Sequence, residues 1–355
     1  MRIITVSPLT KQVPERFSPS GANWILKCHL RGLFKNTNNK GYDLKNNYAA
    51  ALGNVIHKIL DINSSNRINT EEEFNIIWQL TEQEEQNGGL KYLVKNYARY
   101  KYAGKRLILK EPDGVFHERS NFLWQFLSER WLASSDGFLR GRPDTLVLKN
   151  GLPYEIKDYK TGQVFREDIP EMSADSGADF YDFIKDEYRN QLLLYAYLVR
   201  ENYGFFPTKL TVVTPDGTEI SGPCIPDEVT GLVSRIRVMQ QNLTKLREGE
   251  LASPSALNCR YCNYKPDCPF RIITEPGPYG DIAGTAVDIN AHTFGNFTIT
   301  LNSGQKIFMP QPCADMDSVL KLKGKPLFIN NVKQSASHPD GYSFTKFSII
   351  YNVQQ

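Results

Sequence analysis

The sequence predicts an α/β domain followed by a small all-β domain. Three observations carry this: a strand-turn-strand segment ending in charged residues, apolar stripes at helical spacing on both sides of it, and a change after residue 275 to short alternating runs. At 355 residues the chain is long enough for two domains, placed at 1–274 and 275–355. With 41% hydrophobic and 23% charged residues, and no repeat or low-complexity tract, disorder is not its theme. A net charge of +3 is too small to announce a nucleic-acid partner, so local clustering must carry that argument. The opening "MRIITVSPLTKQVPERFSPS" has no apolar core for a signal peptide, and no later run approaches a membrane span. The expectation is a cytoplasmic protein with no membrane partner.

In order, "SPSGANWILKCHLRGLFK" predicts a capped helix leading to Cys28, and "NNYAAALGNVIHKILDI" a second helix with Leu52, Val55, Ile56 and Ile59 as its apolar stripe. Residues 68 to 110 are helical and highly charged in pattern. Residues 137 to 162 form a hairpin turning at "KNG". "DEYRNQLLLYAYLVRENYG" predicts a helix closed by Gly204, and "KLTVVTPDGTEI" a strand pair around Pro-Asp-Gly. A helix from Asp227 to Glu248 follows, with Leu232, Ile236, Met239, Leu243 and Leu246 on one face. After the linker "ITEPGPYG" come "GTAVDI", "GNFTITL", "QKIFMP", "KPLFINNV" and "FTKFSIIY", with a helical piece in "ADMDSVLKLKG". Five short strands in about 80 residues predict a small barrel of the oligonucleotide-binding (OB-like) type, or a generic small β domain.

The hairpin carries the chemistry. On a strand, residues two apart share a face, so Asp158 and Lys160 project together while Glu155 and Lys157 project from the other side. With Asp144 at the end of the preceding strand, either acid-x-Lys pair could hold a divalent cation between carboxylates and aim an ammonium at the same point. Phosphodiester hydrolysis needs that set: a hard cation on oxygen ligands, an activated water, and positive charge where the transition state develops it. Gly53 and His57 stand four apart on one helical face, as do Gln191 and Tyr195 on a later helix.

In this order, "GNVIH", "GRPD", "DYKTG" and "QLLLY" resemble the motifs of the RecB-like nucleases of the PD-(D/E)XK superfamily, over residues 17 to 270. The resemblance implies a restriction-endonuclease-like α/β core with a helical insertion, Mg²⁺ or Mn²⁺ as cofactor and DNA as substrate. It implies His57, Asp144 and Asp158 as side-chain metal ligands with the backbone carbonyl of Tyr159. It gives Lys160 the attacking water or the developing charge, and Gln191 and Tyr195 a bracing role near the substrate backbone. Glu155 and Lys157 stay open as a second pair, since E-x-K is also a form of the motif, and Glu129 is a further acid for the site.

"CRYCNYKPDC" places Cys259, Cys262 and Cys268 at C-x2-C-x5-C spacing without histidine. The chain lacks the two C-x2-C knuckles of a zinc ribbon, so a [4Fe-4S] cluster with a distant fourth cysteine is the better chemical reading. The iron-sulfur branch of these nucleases, including AddB-type and CRISPR-associated enzymes, has one cysteine before the G-x-x-x-H helix. By that resemblance Cys28 is the fourth ligand and the cluster a staple closing a loop of about 230 residues. Cys224 and Cys313 have no partner pattern.

The stretch from Lys91 to Lys110 holds seven basic residues, four tyrosines and no acid. Lys91, Tyr92, Lys95, Arg99, Tyr100 and Lys101 are its nucleic-acid-binding candidates, tyrosine stacking on unpaired bases and the cations neutralising phosphate; a solvated helix is the alternative. The function expected is a metal-dependent exonuclease on single-stranded DNA or DNA ends, in repair, recombination or defence. The rivals are a non-catalytic DNA-binding scaffold and an end-trimming nuclease of CRISPR adaptation. No G-x-x-x-x-G-K-[ST] is present, so processive unwinding calls for a helicase or recombination partner.

Overall fold

A computed structural model describes residues 2–6, 10–35, 48–86, 90–93, 97–109, 123–166, 183–214, 217–260, 262–273, 280–309, 315–335, 341–345 and 348–353. The first elements are β1 (Arg2–Val6), α1 (Pro19–Lys27), α2 (His29–Lys35), α3 (Tyr48–Ser65), α4 (Glu71–Gln86), α5 (Leu90–Leu93) and α6 (Tyr97–Leu109). Then come β2 (Trp124–Ser128), β3 (Leu132–Ala133), β4 (Arg140–Gly141), β5 (Thr145–Lys149), β6 (Leu152–Tyr159), α7 (Asp186–Tyr203), β7 (Lys209–Val213), β8 (Glu219–Pro223) and α8 (Pro226–Asn242). The chain closes with α9 (Glu248–Leu251), α10 (Ala256–Arg260), β9 (Gly280–Ala291), β10 (Phe297–Leu301), β11 (Lys306–Met309), α11 (Met316–Leu320), β12 (Pro326–Gln334), β13 (Gly341–Ser343) and β14 (Ile349–Val353).

Two compact units share the chain. One is Glu15–Asn23 with Asn47–Asn242; the other is Met1–Pro14, Trp24–Asn46 and Leu243–Gln355. The first is built on a sheet in the order β2-β5-β6-β7-β8. Its centre is the predicted hairpin, β5 antiparallel to β6 around Asn150 and Gly151, which take φ 54° and 76° as a two-residue primed turn requires. β6 and β7 are parallel, and α7 makes the crossover between them. Helix α7 ends at Gly204, as its sequence predicts.

Helices α3, α4 and α6 pack Leu52, Val55, Ile56, Ile59, Phe74 and Trp78 against Tyr159 and Val213 of the sheet. Trp78 donates its indole N–H to the Tyr97 hydroxyl at 2.7 Å, and that hydroxyl donates to Glu82 at 2.6 Å, so the polar tips of this core are satisfied. Phe74 has no exposed surface, so Phe74→Ala should cost about 3–5 kcal/mol in a urea melt. Helix α8 stops at Asn242, six residues short of its expected end at Glu248. The Glu250 carboxylate accepts from the Arg247 N–H at 2.8 Å and so starts the separate turn α9.

The second unit holds a sheet in the order β1-β14-β12-β13-β11-β10-β9, with β9 also pairing with β12, so the strands form a ring. Phe297, Ile299, Ile307, Ile329, Val332 and Ile350 fill it. β1 runs parallel to β14 from Arg2↔Ile349 to Val6↔Val353, a strand whose partner lies at the far end of the sequence. Among the described residues no helix is long and apolar enough to cross a membrane.

Candidate active site

Asp144 stands just before β5, and Asp158, Tyr159 and Lys160 at the end of its partner β6, so the two strands bring the acids together. The Tyr159 N–H donates to Asp144 Oδ2 at 2.7 Å, fixing that carboxylate. Its other oxygen lies 3.5 Å from His57 Nδ1 on α3. Helix α3 comes close to the loop after β6 at Gly53, where a Cβ would stand 3.1 Å from the Thr161 hydroxyl and press on it. Gly141 is tighter still, since its Cβ would meet Pro19 at 2.7 Å and the Tyr195 ring at 3.2 Å.

Asp158 is buried, with the Lys160 ammonium 2.6 Å from Oδ2 and the Gln191 amide 3.3 Å from Oδ1. Gln191 also accepts from Lys160 at 3.0 Å and lies 3.4 Å from the Tyr195 hydroxyl. One carboxamide thus orients the acid and the base of the D-x-K pair, with Tyr195 one turn further along α7. Tyr188, a residue that sequence reasoning missed, covers Lys160 with its ring at 5.0 Å. Its signal was available, because it lies three residues before Gln191 on the same helical stripe.

Glu129 follows β2. Its N–H donates to the Asp144 carbonyl at 3.1 Å, and its left-handed φ of 43°, unusual for a residue with a Cβ, turns the chain there. Ligand atoms of His57, Glu129 and Asp144 lie within 4.8 Å of one another, the one such group among the described residues. Asp158 lies outside that group of three.

Glu155 and Lys157 go elsewhere. The buried Glu155 carboxylate accepts from the Thr211 hydroxyl and lies 3.0 Å from Lys209, and Lys157 pairs with Glu219 at 2.9 Å. This second acid-x-Lys pair ties β6 to β7 and β8.

The charges explain one another. Burial pushes Asp158 up to about 6, against the pull of Lys160 and with the push of Asp144. Burial would also raise Asp144, but His57 and Lys160 outweigh it and hold that carboxyl below its ordinary value. Burial would lower His57 and Lys160; Asp144 overrides it at the first and Asp158 at the second, so both are raised and Lys160 stays an ammonium. Glu129 is raised by burial, with Arg142 at 2.6 Å pulling the other way. The result is a cluster of oxygen donors flanked by Lys160 and Arg142, and three of its residues could hold a metal ion.

A basic stretch lies on α5 and α6. Lys91 and Arg99 are exposed, while Tyr100 packs against the helical core and Lys101 lies 5.8 Å from the Trp78 ring. Lys95 and the Tyr92 side chain lie outside the described residues.

In the second unit Cys28, Cys259, Cys262 and Cys268 line one pocket, with Arg31 and Phe34 beside them. Asn258 donates to the Lys27 carbonyl at 3.1 Å, so a hydrogen bond pins together the residues just before Cys259 and Cys28. No three of these thiols come within 4.8 Å of one another. Burial raises the Cys262 thiol, which Arg31 pulls down in part, and pushes Cys268 up to about 11. Cys224 is free in the first unit, and Cys313 lies outside the described residues.

The end of β6 thus brings two acids, a histidine and a lysine together. The chain belongs to the PD-(D/E)XK nuclease superfamily, whose model it matches over residues 16–269. No curated protein matches it. Among solved structures it is similar to a candidate exonuclease of Eubacterium rectale, with 13% identity and a TM-score of 0.41 over 66% of this chain and 82% of that one. That likeness is too distant to bear on the chemistry.

Proposed function

We propose that the chain is a Mg²⁺- or Mn²⁺-dependent deoxyribonuclease that digests single-stranded DNA or DNA from its ends. The observation that carries this is the meeting of Asp144 and His57 with Glu129 on one side and with Asp158 and Lys160 on the other. The donors fit a hard divalent cation: carboxylate oxygens and an imidazole nitrogen, with one carboxylate held above its ordinary pKa by burial against the pull of Lys160. Asp144, Asp158 and His57 would hold the ion with the Tyr159 carbonyl, and Glu129 would complete the set. A bound cation would polarise the scissile phosphate and supply a water of lowered pKa. Lys160 then holds positive charge where the attacking water and the developing negative charge meet, and Gln191 keeps it aimed. The engagement of Glu155 and Lys157 with Lys209 and Glu219 supports Asp158 and Lys160 as the working pair.

The four cysteines fit an iron-sulfur group better than a single zinc. Thiolates around one tetrahedral ion at 2.3 Å stand about 3.8 Å apart, and no three of these thiols gather within 4.8 Å of one another. A [4Fe-4S] cluster would staple the junction of α1 and α2 to α10 and the segment after it, as the branch including the AddB-type and CRISPR-associated enzymes has it. The ring of strands supports an OB-like barrel that retains single strands, with unwinding left to a helicase or recombination partner.

The test is digestion of 5′-labelled linear single strands and of closed single-stranded circles. Mn²⁺ or Mg²⁺ should shorten the linear DNA, spare the circles and fail in chelator. Cut circles would overturn exonuclease action, and uncut linear DNA with both metals would overturn the nuclease.

A further inference from the structure

Beside the acids lies a surface that none of the above uses. Strands β3 and β4 pair Leu132 with Gly141 and Ala133 with Arg140. Leu132 and Gly141 are buried, while Trp131, Ala133, Arg140 and Arg142 are exposed, so the ladder turns one face inward and the other to solvent. Trp131 is 57% exposed, a large exposure for the side chain that folded chains have most reason to cover. The Arg140 guanidinium lies 4.6 Å from its ring centre and that of Arg142 5.5 Å. Arg142 is paired with Glu129 at 2.6 Å; Arg140 has no acidic partner among the described residues.

Placement makes this face part of the site. Trp131 lies two residues after Glu129 and Arg142 two before Asp144, on segments that Glu129 and Asp144 themselves join by a hydrogen bond. Two residues of chain span at most about 7 Å, within reach of one or two nucleotides. An exposed indole offers a π-face to any base, and guanidiniums beside it neutralise the phosphates that base carries. Duplex DNA has no unpaired base to present, so the face discriminates between strand states.

The geometry points to Trp131 as a stacking platform for an unpaired base of single-stranded DNA next to the scissile phosphate, with Arg140 and Arg142 holding the adjoining backbone. This rests on the nuclease reading above and names its substrate. Arg142 is the link to the acids: a phosphate that draws it away frees a Glu129 oxygen beside Asp144 and His57.

The test is binding in chelator, where no cleavage is needed. Wild type, Trp131→Ala, Trp131→Phe and Arg140→Ala are titrated with a thymidine 12-mer and with a 12-base-pair duplex, following binding by fluorescence anisotropy and, in parallel, tryptophan emission. The single strand should quench wild-type emission. Trp131→Ala should weaken single-strand binding about tenfold and leave duplex binding unchanged, and Trp131→Phe should recover most of the affinity. Arg140→Ala should weaken binding and lower its salt dependence. Equal affinity of wild type and Trp131→Ala for the 12-mer, or equal losses on both DNAs, would overturn the platform. Trp131-dependent binding by a protein that cuts nothing with Mn²⁺ would overturn the nuclease reading and leave the platform standing.

Discussion

Asp158→Asn should abolish cleavage and, in chelator, give a more stable protein than wild type. Asparagine keeps an oxygen for Lys160 and occupies the same volume, so the change removes charge and metal affinity and little else. Loss of a cation that supplies several kcal/mol to the transition state predicts a fall of about a thousandfold or more in rate. Stability moves the other way. Asp158 is buried and its pKa stands at about 6 in the folded protein, above about 3.9 in an unfolded chain. A carboxyl with a raised folded pKa favours folding while protonated, and that contribution is lost as pH rises from about 4 through about 6. Below pH 4 the variant and wild type should therefore melt alike; above pH 6 the variant should be ahead by about 1–3 kcal/mol. Mn²⁺ should reverse the order by stabilising wild type. Thermal melts from pH 4 to 8, with EDTA or Mn²⁺, check this beside a cleavage assay. A variant that cuts at the wild-type rate would move the chemistry to Glu155 and Lys157, and melts in EDTA that coincide at pH 8 would deny that Asp158 is held charged against its burial.

The sequence made local geometry legible where short-range chemistry sets it. Asn150-Gly151 dictates a primed turn, so the hairpin and the pairing next to it followed from a few residues, while the one-residue register shift at Val147/Leu148 did not. The stripe of Gln191 and Tyr195 likewise fixes which face of α7 meets β6. What escaped depends on distant partners. "RIITV" has strand composition, but its partner Ile349–Val353 lies at the far end of the chain. The linker at 273–280 marks where β9 begins, yet composition cannot show that 1–14 and 24–46 belong to the compact unit that holds β9. At the site, the acids and lysine were legible because strand alternation groups them. Glu129 had only sequence proximity until its left-handed turn and its bond to the Asp144 carbonyl appeared. Trp131 and Arg140 carried no motif, and Arg142 appeared only as the second residue of "GRPD"; the pairing of β3 with β4 is what brings the three to one face.

Cys28→Ala should release all iron from anaerobically purified protein, bleach its visible absorbance and lower its melting temperature by about 10 °C. The reasoning begins with the chain path: Cys28 sits between α1 and α2, and Cys259, Cys262 and Cys268 lie more than 230 residues on. Closing a loop of that length removes several kcal/mol of unfolded-state entropy, which a protein of this size shows as about 10 °C. The Asn258 to Lys27 hydrogen bond is too weak to do this alone, being worth about 1 kcal/mol. Burial meanwhile holds Cys262 and Cys268 as neutral thiols in the metal-free protein. Their protons must leave when iron binds, so iron uptake should weaken as pH falls. The cysteine loop also carries Lys265, which forms a buried ion pair with Asp281 on β9. Loosening the loop exposes that pair, so hydrogen exchange along β9 should rise in Cys28→Ala beyond the loop itself. Cys224→Ser is the control, since burial pushes that thiol up to about 12 and it belongs to the other compact unit. Iron retained by Cys28→Ala, or lost by Cys224→Ser, would reassign the ligands. Full iron in Asp158→Asn, with cleavage gone, would show that the two metal sites do separate work.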